Sequence, residues 1–403
     1  MSVNLPPLPE MHPVAGVRCA AVAAGVRKPG RRDLVLFELA PGSTAAAMFT
    51  RNRFCAAPVQ LAKRHLETTA PRYLLINTGN ANAGTGADGM AAALRCCSAA
   101  AELAGVELEA ILPYSTGVIG EPLPSERIVA ALPQAFAGLA ADAWADAAHG
   151  ILTTDTAAKG VSLRSDAGWV MTGISKGAGM IRPDMATMLA FIATDAAVSA
   201  PVLDALLKEA VEASFNRITV DGDTSTNDAV TLVATGAAGS PTITAVDSAQ
   251  GRAFAAALEA TCVQLAQAIV RDGEGATRFV TVRIEGARNR AEALAVAYAI
   301  AHSPLVKTAL FAGDPNWGRL LAAIGRAGID DLDVTGVDLF LDDVRIAVAG
   351  SVAPEYREAD GARVMAQPEI LIRAHLGRGD ATETVWTTDL SYDYVKINAE
   401  YRS

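Results

Sequence analysis

A glycine-rich loop that runs into an apolar segment, at residues 176–191, most constrains how this chain can fold. Gly177 and Gly179 permit backbone angles that other residues avoid, and Pro183 disfavours the helical region for the residue before it, so a helix is not expected here. Residues 188–193 are all apolar, and so short a run is typical of a central strand covered on both faces. The segment therefore predicts a shaped loop that leads into the core.

Thr187 stands at the junction of this loop and strand. A hydroxyl at the mouth of a buried strand, approached by a loop that carries Lys176, is a favourable place for a nucleophile. The alternative is a β-branched residue that only starts a strand, and composition alone favours that alternative. No histidine lies in a nucleophile-elbow context, so any base for Thr187 need not be an imidazole.

The length and charge of the chain exclude several classes of protein. Its 403 residues are enough for a large core and two or three subdomains. Its 44 acidic and 34 Lys or Arg residues give a net charge of −10, which offers no general attraction to nucleic acid or anionic membranes. No run of about 18 apolar residues would span a bilayer, and the N-terminus lacks the basic and apolar pattern of a secretory signal. We expect a soluble, cytoplasmic protein with neither nucleic acid nor membrane as a partner.

The candidate metal ligands form no pattern typical of a metal site. The five histidines are scattered, and the five cysteines lack metal-type spacing, which indicates reduced packing residues. Residues 221–228 superficially suggest a calcium loop but lack its ligand ladder and closing glutamate. No metal is therefore expected, and 221–228 is interpreted as a polar turn.

Strand and helix patterns alternate along the chain and predict the α/β class. The first expected strand, at 33–39, is assigned to a sheet edge. Further strands are expected at 73–77, 279–285 and 369–376, with a hairpin over 337–348. Helices are expected from about Asp88, from Ser199, over 254–269 and over 291–301.

Five long motifs, in a consistent order across nearly the whole chain, resemble the glutamate/ornithine N-acetyltransferase family. They are residues 115–120, 176–191, 219–228, 314–319 and 398–403. The resemblance implies a layered αββα sandwich of the self-processing type with an additional C-terminal α/β subdomain.

The resemblance also implies that the chain cuts itself between Ala186 and Thr187. The products would be an alpha chain of residues 1–186 and a beta chain of residues 187–403 that begins with the nucleophile Thr187. A C-terminal subdomain over 280–403 would lie within the beta chain. The family assembles from two copies of each cut chain, so the same assembly is expected here.

Further site residues follow from the same resemblance. The family pattern assigns the oxyanion hole to Thr116 and Gly117. It assigns substrate binding to Thr153, Lys176, Thr187, Glu274, Asn398 and Ser403. Ser403 occupies a place often filled by Thr and retains the hydroxyl, while the carboxylate of Glu274 suits the α-amino group of an amino acid. Without the resemblance, Glu274 could equally be an exposed acid at a helix end, and Thr116 part of an ordinary turn.

The implied reaction is transfer of acetyl from N-acetylornithine to glutamate by a ping-pong mechanism through acetyl-Thr187. Once Thr187 is an N-terminus, its α-amino group, with a reference pKa of about 7.7–8.0, can act as base on its own hydroxyl. No cofactor is expected, and acetyl-CoA as a second acetyl donor stays open. Two alternatives remain from the residues alone. One is a self-processing N-terminal-nucleophile aminopeptidase or amidase, and the other is an α/β protein whose glycine loops only bind an anion.

Overall fold

The protein, seen in a computed structural model, is described for residues 2–27, 30–182 and 188–400. It divides into two compact units. The N-terminal unit comprises Pro6–Asn216 and Asp223–Ile269. The C-terminal unit comprises Met1–Leu5, Arg217–Gly222 and Val270–Ser403.

The strands and helices of the N-terminal unit follow one another along the chain. The strands are β1 (Val17–Val22), β2 (Leu34–Leu39), β3 (Thr44–Phe49), β4 (Tyr73–Asn80), β5 (Ile111–Val118), β6 (Lys159–Arg164), β7 (Val170–Lys176), β8 (Leu189–Thr194) and β9 (Ala229–Ala234). The helices are α1 (Ala57–Thr68), α2 (Gly86–Ala104), α3 (Ser125–Ala137), α4 (Trp144–Gly150), α5 (Ala200–Ala213) and α6 (Ala249–Arg271).

Two sheets face each other in this unit. One has the order β1-β2-β4-β5 and the other the order β3-β9-β8-β7-β6. Aromatic side chains fill the space between them, with the ring of Phe191 on β8 centred 5.8 Å from that of Phe37 on β2 and 5.0 Å from that of Tyr114 on β5. Since β1 pairs outside β2, the assignment of β2 to a sheet edge is wrong.

Strand β8 confirms the prediction of a buried central strand. It lies between β9 and β7, and each of its residues is buried. Its apolar sequence has no solvated face to accommodate, because sheet covers one side and helix the other. The loop before it takes unusual backbone angles at Gly177 (φ 151°) and also at Met180 (φ 54°).

Helices cover the outer faces of both sheets. Residues of α2 and α3 pack on Leu34, Leu36 and Leu75 of the first sheet, whereas α5 packs on β3 and β9 of the second. The N-terminal unit is therefore a four-layer αββα sandwich, as predicted.

Helix α6 completes the outer layer of the second sheet. Among the described residues, its length and composition would suffice to cross a membrane. However, its apolar stripe of Phe254, Leu258 and Leu265 is fully buried, and the ring of Phe254 lies 5.4 Å from that of Trp169 beside β7. Such packing is typical of a core helix.

The C-terminal unit has one sheet with the order β13-β12-β11-β14-β10-β15. Its strands are β10 (Phe279–Ala287), β11 (Asp338–Leu341), β12 (Val344–Val348), β13 (Ser351–Val352), β14 (Glu369–His375) and β15 (Ala381–Thr388). Its helices are α7 (Arg290–Ala301), α8 (Pro304–Ala312), α9 (Trp317–Gly325), α10 (Glu358–Met365) and α11 (Tyr392–Ala399).

The predicted alternation of β10 and the predicted hairpin are both confirmed. Val280, Val282 and Ile284 are fully buried whereas Arg283 is exposed. The hairpin turns at Asp342, whose φ of 48° suits a tight turn.

The division into alpha and beta chains falls at Ala186 and Thr187, outside the described residues, and stays a prediction.

Candidate active site

Thr116 and Gly117 lie near the end of β5, beside the parallel strand β4. Thr78 pairs with Thr116 and Gly79 with Gly117, after which the register becomes irregular at Asn80. Gly117 has a φ of 136°, and a Cβ atom there would lie 2.2 Å from the carbonyl carbon of Gly79. Only glycine fits so close to a neighbouring backbone.

Buried amide side chains hold this irregular strand end in place. The Nδ2 atom of Asn227 donates to the carbonyl oxygens of Ala81 (2.6 Å) and Ser115 (2.9 Å). The hydroxyl of Ser115 in turn donates to Oδ1 of Asn77 at 2.6 Å. Asn227, in the polar turn at 221–228, thus links the residue after β4 to β5 at the position just before Thr116.

Lys176 is the last residue of β7, and its side chain reaches Thr116. Its Nζ atom donates a hydrogen bond to Thr116 Oγ1 at 3.2 Å, and both residues are 8% exposed. On the backbone, Lys176 pairs with Leu189, the first residue of β8. The arrangement directs a buried ammonium group at the strand end that the sequence predicted as an oxyanion site.

A carboxylate that the sequence did not single out, Asp155, joins two predicted site segments. It lies two residues after Thr153, and its side chain is fully buried. Its Oδ2 atom accepts the backbone N–H of Thr153 at 3.0 Å, and its Oδ1 atom accepts the backbone N–H of Gly177 at 2.6 Å. The Oδ1 atom also accepts from Lys159 Nζ at 2.6 Å.

Asp155 is held ionised despite its burial. Burial alone would raise the pKa of its carboxyl group, but the positive charges of Lys159 and Lys176 and the hydrogen bonds from Lys159 and Thr153 outweigh that effect. The pKa of Asp155 is therefore well below its usual range. The sequence signal was weak, because an Asp within Thr-Thr-Asp-Thr is also typical of a solvated turn.

In the C-terminal unit, the last helix folds back onto the loop that carries Glu274. The Nδ2 atom of Asn398 donates to Glu274 Oε2 at 2.8 Å, and Glu274 is only 8% exposed. Ser391 caps α11 by accepting the N–H of Tyr394, and its hydroxyl donates to the carbonyl oxygen of Gly275 at 2.6 Å. A Cβ atom at Gly275 would lie 2.4 Å from the nitrogen of Tyr394, so glycine allows the helix to approach closely.

Lys307 on α8 is a second buried charge that the sequence did not indicate. Its Nζ atom donates to the hydroxyls of Thr387 (3.1 Å) and Thr388 (3.3 Å) and to the Thr388 carbonyl oxygen. Burial lowers the pKa of Lys307 to about 8, although the nearby carboxylates of Asp389 and Asp221 act in the opposite direction.

The structure brings the predicted site residues together in two groups, one in each unit. The N-terminal unit holds Thr116, Gly117 and Lys176 in one cluster and Thr153 with Asp155 beside Gly177. The C-terminal unit holds Glu274 with Asn398. Ala186, Thr187 and Ser403 lie outside the described residues. Within the described part of the chain, no group of His, Cys, Asp and Glu side chains could hold a metal ion.

Known proteins similar to this chain agree with the resemblance. The model of the ArgJ family matches residues 18–403. Two proteins named arginine biosynthesis bifunctional protein ArgJ are each 58% identical over the whole of both chains, one from Pseudomonas syringae pv. tomato (strain ATCC BAA-871 / DC3000) and one from Pseudomonas fluorescens (strain Pf0-1).

A solved structure is also similar to part of the chain. The crystal structure of the arginine biosynthesis bifunctional protein ArgJ from Bacillus halodurans has a TM-score of 0.51 and 38% identity. It covers 53% of this chain and 100% of the solved one. The family match and the two full-length relatives confirm the resemblance inferred from the five motifs, and the chain belongs to the ArgJ family.

Proposed function

We propose that this protein is an acetyltransferase of arginine biosynthesis that moves acetyl from N-acetylornithine to glutamate. The observation that carries the proposal is the arrangement at the end of β5. There, Lys176 Nζ lies 3.2 Å from Thr116 Oγ1. The next residue, Gly117, stands at a position where only glycine fits. Fixed donors and a positive charge at one point are what a tetrahedral oxyanion needs. Membership of the ArgJ family indicates which acyl group is transferred.

The nucleophile in this proposal is Thr187, exposed as an N-terminus by cleavage of the Ala186-Thr187 bond. Its hydroxyl attacks the acetyl carbonyl of N-acetylornithine, and its α-amino group takes the hydroxyl proton. The intermediate collapses by breaking the carbon–nitrogen bond, and the proton passes to the departing amine of ornithine. The amine of glutamate then attacks acetyl-Thr187, which releases N-acetylglutamate and restores the hydroxyl.

The remaining predicted residues divide between charge stabilisation and substrate binding. Thr116 and Gly117 stabilise the oxyanion in both half-reactions, and Lys176 supplies positive charge beside them. Glu274 offers a carboxylate to an ammonium group of the substrate, and Asn398 holds that carboxylate by its 2.8 Å hydrogen bond. Thr153 and Ser403 complete the substrate contacts by analogy with the family pattern.

The aminopeptidase or amidase alternative uses the same first chemical step but lets water accept the acyl group. Full-length relatives at 58% identity that are named for arginine biosynthesis favour glutamate as the acceptor. Their description as bifunctional supports acetyl-CoA as a second acetyl donor. We further propose an assembly of two alpha and two beta chains in the cytoplasm.

Mass spectrometry of the purified protein tests this function. We expect two chains, of 186 and 217 residues (403 minus 186), and an acetyl group on the second chain after addition of N-acetylornithine. Glutamate should remove that acetyl group and appear as N-acetylglutamate. Free acetate as the only product would favour the amidase, and an uncut chain without acetyl would favour a binding protein.

A further inference from the structure

The backbone next to Lys176 is held by Asp155. Gly177 N–H, which donates to Asp155 Oδ1 at 2.6 Å, belongs to the peptide group that joins Lys176 to Gly177. Gly177 has a φ of 151°, a conformation in which other residues are strained, and glycine gives the chain unusual rotational freedom. The hydrogen bond from Gly177 N–H to Asp155 therefore restricts rotation of the Lys176-Gly177 peptide group.

Asp155, which accepts this hydrogen bond, also forms an ion pair with Lys159, four residues further along the chain, and this pair is fully buried. The side chains of Asp155 and Lys159 are both 0% exposed, and their charged atoms are 2.6 Å apart. Removing two charges from water costs several kcal/mol per ion, which their attraction often fails to repay. Burial of this ion pair is therefore weak evidence that it stabilises the folded state. Its hydrogen bond to Gly177 N–H favours a role in positioning the backbone next to Lys176.

We propose that Asp155 is a positioning residue for acetyl transfer, because it fixes the Lys176-Gly177 peptide so that the Lys176 ammonium group stays on Thr116. Asp155 itself touches no reacting atom in this proposal. It acts through the Lys176-Gly177 peptide, which its Oδ1 atom holds, while its Oδ2 atom accepts the backbone N–H of Thr153 at 3.0 Å. The inference rests on the proposed function, since the reaction defines what Lys176 and Thr116 must stabilise.

Two double variants separate the hydrogen bond from the ion pair. Asp155→Asn with Lys159→Gln removes both charges and keeps an amide oxygen that can accept from Gly177 N–H, while an NH2 group replaces the oxygen that accepts from Thr153. Asp155→Ala with Lys159→Met removes both charges and the acceptor. We expect kcat within about fivefold of the original for the first variant and at least about tenfold lower for the second, with KM changed less than about threefold, because misplacement by about 1 Å can cost 100-fold in rate.

The exposed pair Asp204 and Lys208 on α5 provides a matched control. It has the same spacing of four residues and the same 2.6 Å separation, but its side chains are 47% and 60% exposed. Asp204→Asn with Lys208→Gln should leave kcat and KM unchanged. Equal losses in both Asp155 variants, or full activity in both, would overturn the positioning role and leave a merely structural ion pair.

Hydrogen exchange followed by mass spectrometry supplies a readout independent of turnover. In the full chain, the amide of Gly177 should exchange at least about tenfold faster in the Asp155→Ala, Lys159→Met variant than in the Asp155→Asn, Lys159→Gln variant. Equal exchange would overturn the proposed anchor. If the original protein transfers no acetyl to glutamate, the proposed function fails, whereas the exchange measurement still decides whether Asp155 holds this peptide.

Discussion

Asn398 and Glu274 lie 124 residues apart in the chain, yet the amide of Asn398 donates to the carboxylate of Glu274 at 2.8 Å. The same amide also donates to the carbonyl oxygen of Tyr394, within its own helix, at 3.0 Å. The end of α11 is therefore coupled to the loop after α6 through one side chain. A carboxylate held in this way is pre-oriented for a cation, which lowers the entropy lost on binding.

The first prediction concerns the charge of Glu274. Glu274→Gln keeps an oxygen that can accept from Asn398 but removes the negative charge. We expect KM for N-acetylornithine to rise about 10- to 100-fold, the scale of a lost hydrogen bond to a charged group. Glu355→Gln, at an exposed position of the same unit, is the control in steady-state kinetics. An unchanged KM would exclude Glu274 from substrate binding.

The second prediction concerns self-cleavage. Thr187→Ala should remain one chain of 403 residues, because the hydroxyl that attacks Ala186 is gone. Thr187→Ser should still be cut but should transfer acetyl more slowly, since serine lacks the methyl group that restricts rotation about χ1. Denaturing gels and N-terminal sequencing check both outcomes, and the second chain of the original protein should begin Thr-Met-Leu-Ala-Phe. Cleavage of Thr187→Ala would contradict the mechanism.

The third prediction tests Thr116 as an oxyanion donor. Thr116→Val preserves the shape of the side chain but removes the hydroxyl that Lys176 contacts. We expect kcat to fall about 100- to 1,000-fold with little change in KM, as for other lost oxyanion donors. Thr116→Ser, which retains the hydroxyl, should recover most of the rate. A change confined to KM would instead indicate ordinary substrate binding.

The fourth prediction follows from the buried charge of Lys307. Its pKa is lowered from 10.5 to about 8 by burial. Between these values the unfolded chain binds the additional proton, so the free energy of unfolding should rise as the pH increases from about 8 to about 10.5. Lys307→Met should flatten this rise in denaturant titrations across that range. The exposed Lys208→Met is the control, and identical slopes in all three proteins would rule out the shifted lysine.

The fifth prediction concerns thiol reactivity. Burial raises the pKa of Cys19, Cys96 and Cys262 to about 12 and that of Cys97 further. Cys55 is only half-buried, and although burial raises its pKa too, the nearby charge of Lys63 acts in the opposite direction. Because the thiolate is the reactive form, a thiol-exchange reagent should label one cysteine rapidly in the folded protein and all five after unfolding. Cys55→Ser should abolish the rapid phase, and rapid labelling that persists would contradict the assignment.

The parts of the fold that the sequence predicted are those with a strong local pattern. The apolar run of β8 and the alternation in β10 each identify a strand because burial repeats at short spacing. β1 was missed, since Arg18 and the small residues Cys19, Ala20 and Ala21 blur its period. Its partner β2 was therefore assigned to a sheet edge. The error arose because the local sequence pattern of a strand does not show which other strands pair with it.

The buried charges could not be predicted for a different reason. Asp155 meets Gly177 across 22 residues and Lys307 meets Thr388 across 81, and nothing near either residue in the chain marks it as buried. An isolated Asp or Lys in a sequence is far more often exposed. By contrast, Thr116, Lys176 and Asn398 came from long motifs, and Glu274 from its place between two glycines within the family pattern. Their contacts fit those assignments, while their roles in catalysis stay predictions.

The close approach of Gly117 to Gly79 has a consequence for comparing this chain with its homologues. A side chain at position 117 would require the neighbouring strand β4 to move away. Substitution of Gly117 therefore requires a coordinated change in the backbones of β4 and β5. A homologue that carries a larger residue at 117 should therefore differ from this chain in the backbone at the end of β5, whatever else the two sequences share.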